Sequence, residues 1–219
     1  MKLNLIGAIE SLEAIKQNLE ELPALDLANF EKNSTVLIHV DIVEGFLNFG
    51  ALHSKDVAGI LPFVAELNQR MEGYTKIFVI DRHNEEAVEF NAYPAHCVVG
   101  SGEDQLVKEL LPFCEGELMI EKNSTNLFHA PGFQKYLEEN PQINDFVFVG
   151  DVTDICVLQA TLSLRSYFNE HNINKNLHVL LPGVDTFDLD ATHHHRGLMN
   201  LFSLYNMQMN GIHLYGDIK

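Results

Sequence analysis

Positive charge is what this 219-residue chain has least of: 14 Lys and Arg stand against 31 Asp and Glu, for a net charge of −17. Phosphate backbones and anionic lipid surfaces are held by clustered Lys and Arg. Nucleic acid and membranes are therefore not expected as partners, and a neutral or weakly charged small molecule is. Long apolar runs are also missing. None approaches the roughly 18–20 residues that span a bilayer, and Glu10 and Glu13 interrupt the one N-terminal stretch that could resemble a leader. Tryptophan is absent, and cysteine occurs only three times, without paired spacing, so no disulfide framework is expected. A cytoplasmic protein with reduced thiols fits that usage.

What is present is an ordinary core: 46% of residues are hydrophobic, enough for one large domain. Leu5, Ile9, Leu12, Ile15, Leu19 and Leu22 recur at spacings of three and four, which predicts an amphipathic N-terminal helix ended by Pro23. Residues 1–33 are read as a helical extension to a domain spanning 34–219. Its apolar stripe is read as a contact between copies of the chain, a homo-oligomer, rather than as cover for a core edge.

Short runs of strand length follow: TVLIHV (35–40), KIFVI (76–80), ELMI (117–120), DFVFV (145–149), LHVLL (177–181) and GIHLY (211–215). Each is nearly continuous in hydrophobicity, as strands covered on both faces are. Helix-length segments separate them, among them VAGILPFVAELNQRM, EDQLVKELLPF, PGFQKYLEE and CVLQATLSLRSYFNE. The alternation predicts a single α/β domain with a mostly parallel sheet and helices on both faces. The pentapeptide EKNST occurs twice, at 31–35 and 121–125. The first copy leads into a strand and the second follows one. Ligands of open parallel sheets bind beyond the carboxyl ends of the strands, so Lys122 lies on the side where chemistry is expected and Lys32 on the opposite edge.

Ionisable residues collect on that edge: Asp41, Asp81 with His83, Lys122, and Gly150-Asp151-Val152-Thr153-Asp154-Ile155-Cys156. Cys156 opens a long helix, where free N–H groups and the helix dipole are expected to favour thiolate and could hold an oxyanion. Asp41 could take the thiol proton and Lys122 could hold both charges. Cys97 and Cys114 lack that setting. Asp81 and His83 at one strand end, with His96 in the turn Tyr93-Pro94-Ala95-His96, offer a ligand set suited to Zn, Fe or Mn. Glu89 is a possible fourth ligand. The run His193-His194-His195 cannot share one ion, because consecutive helical residues point apart. It is read as a solvated or interface end of the last helix, and His39 as a satisfied core histidine.

Asp41 in HVDIVEGF, Lys122 in MIEKNSTNLF and Cys156 in VGDVTDICV together resemble the Asp-Lys-Cys triad of the isochorismatase-like cysteine hydrolases. Within them, Asp81-x-His83 followed by YPAHCVVGSGEDQL looks like the metal-site signature of nicotinamidases. The resemblance covers about residues 35 to 215. It implies a six-stranded, mostly parallel sheet, a divalent metal on Asp81, His83, His96 and Glu89, and hydrolysis of a small-molecule amide, nicotinamide, to nicotinate and ammonia in NAD salvage. It further implies oxyanion donors at the backbone N–H groups of Val152 and Cys156, a cis peptide before Val152, and a substrate ring between Phe46 and Tyr93. The sequence departs from the family pattern at Val43, Arg82 and Asn84, where Gln, Trp and Pro are common. A related amidase or ureido-hydrolase, and a binding protein of the same fold, are the alternatives.

Overall fold

The computed structural model describes residues 4–219. Six strands form one sheet: β1 (Thr35–Val40), β2 (Thr75–Asp81), β3 (Leu118–Lys122), β4 (Asp145–Asp151), β5 (Asn176–Asp185) and β6 (His213–Tyr215). Their spatial order is β3-β2-β1-β4-β5-β6, and every neighbouring pair is parallel. All six residues of β1 are buried, which explains why its sequence is apolar without alternation.

Five longer helices accompany the sheet: α1 (Ala8–Glu20), α2 (Leu61–Arg70), α3 (Pro131–Glu139), α4 (Leu158–Glu170) and α5 (Arg196–Met209). Successive strand residues face opposite sides. Ile38, Val40, Ile77 and Phe148 meet Phe133, Leu164 and Leu204 from α3, α4 and α5. Leu37, Phe78 and Val147 meet Val64 and Leu67 of α2 on the other face. Full burial of such a side chain contributes about 1.5–3 kcal/mol. His39 is a satisfied core residue: its Nδ1 lies 3.2 Å from the Ile77 carbonyl, its Nε2 2.8 Å from the Asn68 amide, and its ring stacks on Phe78. Burial lowers its pKa to about 3, so it stays neutral. Among the described residues no helix is long and apolar enough to cross a membrane.

Two predicted helices differ from what forms. VAGILPFVAELNQRM breaks at Gly59 into a short turn, Lys55–Ala58, and α2, where Pro62 occupies the first turn. EDQLVKELLPF makes no helix beyond the single turn Leu111–Phe113. Its backbone is bonded to the loop after β1 instead, through Glu44 N–H to Gln105 O, Gly45 N–H to Glu103 O and Val107 N–H to Ile42 O. The N-terminal stripe divides. Leu19 is buried and Ile15 and Leu22 pack on the chain's own core, whereas Leu5, Ile6 and Ile9 are exposed. Residues Ala24–Leu25 pair with Asp217–Ile218 and lace the two ends of the chain together.

From β1 the chain winds outward through β2 and β3, then returns to β4 on the other side of β1. Connections therefore diverge between the carboxyl ends of β1 and β4, the place where ligands of open parallel sheets bind. Gly150 lies at that divide with φ +123°, and a Cβ on it would come 2.0 Å from the Val40 carbonyl oxygen. Gly150→Ala is expected to destabilise the fold by about 3 kcal/mol or more, measured by urea unfolding. An unchanged midpoint would mean that the two strands do not approach so closely.

Candidate active site

The carboxyl edge of the sheet is built from the last residues of its strands. Lys122 ends β3, Asp81 ends β2 and Asp41 directly follows β1. Asp41 has φ 54°, a left-handed conformation that Asp tolerates better than most residues. Its carbonyl accepts the Val43 N–H at 2.7 Å and turns the chain sharply there. Lys122, 3% exposed, is the centre of the group. Its Nζ lies 2.6 Å from Asp81 Oδ1, 2.9 Å from Asp41 Oδ2 and 3.9 Å from Cys156 Sγ. The three residues picked out as a triad thus meet in one place.

Burial by itself would drive Lys122 towards the neutral amine, but Asp41 and Asp81 outweigh it and hold its pKa well above the usual value. Asp41 is pushed up to about 7 by burial, with Lys122 opposing and Asp81 adding to the rise. At Asp81 burial also acts upward, and there Lys122 and the His83 and His96 imidazoles win, leaving an ionised carboxylate. Cys156 differs from the sequence expectation. Burial raises its thiol well above the ordinary range, Lys122 opposes, and Asp41 adds to the rise. The resting sulfur is therefore a protonated thiol, with the Lys122 ammonium 3.9 Å away. Desolvation outweighs the helix-end field because the sulfur is sealed from water.

Cys156 is presented by a wide turn, Thr153–Val157, that precedes α4. The Val152 carbonyl accepts the N–H groups of Ile155 and Val157, both at 3.2 Å, the second being an i→i+5 bond. The peptide between Asp151 and Val152 is cis.

Beside the triad, Asp81 Oδ2 lies 3.0 Å from His83 Nε2 and 3.1 Å from His96 Nε2. His96 Nδ1 donates to the Pro94 carbonyl at 2.8 Å, and His83 Nδ1 is 2.9 Å from Asn123 Oδ1. A carbonyl can only accept, so His96 Nδ1 carries a proton and Nε2 is left facing a carboxylate. That arrangement needs a cation between them, either a second proton or a metal, and a fixed Nδ1–H is the usual second shell of a metal-bound imidazole. One ligand atom from each of Asp81, His83 and His96 falls within 4.8 Å of the others, so these residues fit a divalent ion. Glu89 Oε1 stands 3.8 Å from both Nε2 atoms, while its Oε2 accepts the Thr125 N–H at 3.0 Å.

The model of the isochorismatase domain matches residues 35–202, a span from β1 into α5. The chain belongs to the isochorismatase family. It is 26% identical over 215 residues to nicotinamidase 1 of Arabidopsis thaliana, covering 85% of this chain and 87% of that one. A pyrazinamidase/nicotinamidase from Streptococcus mutans shares the fold with a TM-score of 0.70 at 22% identity, over 83% of this chain and 99% of that one. A pyrazinamidase of Pyrococcus horikoshii in complex with zinc does so with a TM-score of 0.66 at 21% identity, over 83% and 98%.

In this isochorismatase-family fold the Phe46 and Tyr93 rings both flank His96, with centroids 5.6 Å and 6.3 Å away. Arg82, between two candidate ligands, points elsewhere and pairs with Asp104 and Glu121. The histidine run is not simply solvated. His194 Nε2 lies 2.8 Å from Asp154 Oδ2, whose other oxygen accepts the Thr186 hydroxyl at 2.6 Å. His195 accepts the Leu198 N–H at 3.3 Å and caps α5. The Asp154–His194 pair and the Asn123 contact were not foreseen; both join residues distant in sequence, and the only signal was the position of Asp154 just before Cys156.

Two measurements test this site. Lys122→Ala is expected to cost about 3–5 kcal/mol at pH 7, since it leaves buried carboxylates unpaired; an unfolding curve that does not move would deny the ion cluster. His96→Ala is expected to weaken Zn²⁺ binding by about 100-fold or more, at or beyond the effect of losing an outer-shell partner. Equilibrium dialysis with equal affinity in both proteins would remove His96 from the ligand set.

Proposed function

We propose that this chain is a cytoplasmic cysteine amidase that hydrolyses nicotinamide to nicotinate and ammonia and serves NAD salvage. The observation that carries the reading is Lys122 Nζ in reach of Asp41 and Cys156 at once, beside a three-residue ligand set. All three cysteines are free, as a nucleophilic thiol requires.

Asp41 accepts the Cys156 proton as Sγ attacks the carboxamide carbon. Because the thiol is held protonated by burial, proton removal and attack are coupled, and Lys122 keeps the total charge of the pair tolerable. The tetrahedral oxyanion rests on the N–H groups of Val152 and Cys156, where loss of one donor typically costs about 3–4 kcal/mol of barrier. Asp41 returns its proton to the departing ammonia, leaving a thioester. It then takes a proton from the water that attacks the thioester, and the carboxylic acid leaves as Cys156 regains its proton. Phe46 and Tyr93 hold the ring, next to His96. Asp81, His83 and His96, with Glu89 near, would hold a divalent ion, and the chemistry it would supply is a Lewis-acidic anchor for a ring nitrogen.

A second reading, an amidase of the same chemistry acting on another small amide, is favoured by Asp151, a carboxyl placed next to the proposed oxyanion donor Val152. Ammonia release from nicotinamide is expected to fall by about 10⁴-fold or more in Cys156→Ala, with folding and ligand binding retained. Residual turnover within tenfold of the parent would sink the cysteine mechanism and leave a binding protein or another nucleophile. The base must be ionised in the free enzyme. With Asp41 raised to about 7, kcat/KM should fall tenfold per pH unit below roughly pH 7 and level off above it. An acid limb near pH 4 instead would take the role of base away from Asp41.

A further inference from the structure

Asp154 stands two residues before Cys156 and shares its wide turn, Thr153–Val157. That turn has little of its own to hold it. The N–H groups of Ile155 and Val157 both end on the single Val152 carbonyl. The Thr153 hydroxyl is buried and meets no partner among the described residues. Support from outside comes through Asp154, both of whose oxygens are taken. Oδ1 accepts the Thr186 hydroxyl at 2.6 Å, and Oδ2 faces His194 Nε2 at 2.8 Å. Apart from the Lys122 contact of Cys156, no other side chain of the turn is hydrogen-bonded outside it among the described residues.

Both partners of Asp154 belong to the segment between β5 and α5, and both are fixed in their turn. Thr186 follows β5 directly, and its N–H donates to Asp185 Oδ1 at 2.8 Å. Arg196 Nε, at 2.9 Å, and the Asn200 amide, at 2.8 Å, hold that same carboxylate. His194 is held from several sides. Its Nδ1 donates to the Phe187 carbonyl at 3.0 Å, and its ring stacks on Phe187 with centroids 3.9 Å apart. Its backbone exchanges two hydrogen bonds with Leu189, at 2.9 and 3.1 Å. A carbonyl and a carboxylate only accept, so both ring nitrogens donate and His194 is an imidazolium. Its bond to Asp154 is therefore charge-assisted, between side chains only 14% and 10% exposed. A ring locked in this way is a fixed post to which Asp154 fastens the turn.

We propose that His194 is a positioning residue: through Asp154 it fixes the turn that carries the Cys156 thiol and N–H. Its effect on turnover rests on the amidase reading, whereas its hold on the turn does not.

Hydrogen exchange followed by NMR reads the turn without turnover. His194→Phe keeps a ring on Phe187 and loses the N–H to Asp154. In that protein the Ile155 and Val157 amides are expected to exchange about 10-fold or more faster, the factor that follows from losing a hydrogen bond between charged groups. His194→Gln, whose amide nitrogen can stand in for Nε2, should keep them within about 3-fold of the parent. Should the His194→Phe protein not fold, Thr186→Val removes only the hydroxyl from Oδ1 and is expected to speed the same two amides by about 3-fold or more. In ammonia release from nicotinamide, or from whichever small amide the parent hydrolyses, His194→Phe should lower kcat about 10-fold or more with KM within about 3-fold, and His194→Gln should restore it. The proposal is overturned if Ile155 and Val157 keep the parental rate while only the Leu189 and His194 amides speed up, for then the pair anchors residues 187–194 alone. It is equally overturned if exchange quickens and kcat stays, or if His194→Gln does not rescue. A parent that releases ammonia from no amide would defeat the amidase reading alone, and exchange at Ile155 and Val157 would still decide whether His194 holds the turn.

Discussion

One ammonium between two carboxylates governs the functional edge of this protein. Lys122 is sealed from water, and only the charges of Asp41 and Asp81 make its burial tolerable. Asp81 is in turn committed to His83 and His96, and Lys122 itself reaches the Cys156 sulfur at 3.9 Å. The proposed nucleophile, the base and the metal ligands are therefore a single electrostatic unit. A change in the charge of any member is felt by all of them, because little water intervenes to screen it.

The unit also explains how two aspartates with the same covalent chemistry hold opposite tendencies. Asp41 is raised towards neutrality, where a proton can be taken and given back, while Asp81 is held ionised, as the proposed role of metal ligand requires. Their difference comes from neighbours: Asp81 has Lys122 and two imidazoles, Asp41 shares Lys122 and has little else. Asp151, one strand further on, meets no hydrogen-bond partner among the described residues and belongs to neither class.

The strand map was legible because period-free apolar runs have few other uses. Thr35–Val40 and Pro131–Glu139 occur where the pattern put them. EDQLVKELLPF was misread because its helix-like spacing takes no account of the loop after β1, which claims its backbone. Asp41, Asp81, His83, His96, Lys122 and Cys156 were all visible as strand-end or turn residues, and the structure gathers them. The state of the Cys156 sulfur was not visible. A helix start is a local feature, whereas desolvation depends on everything packed around it.

The sequence by itself determined the layering of helices on a parallel sheet and which edge of that sheet carries the ionisable groups, because burial periodicity and strand ends are written in consecutive residues. Only the tertiary structure decided who neutralises whom. That Lys122 falls to Asp41 and Asp81, Arg196 to Asp185, and nothing to Asp151 follows from the order β3-β2-β1-β4-β5, which no local pattern encodes. Charge pairing depends on distance across strands, and distance across strands is set by topology.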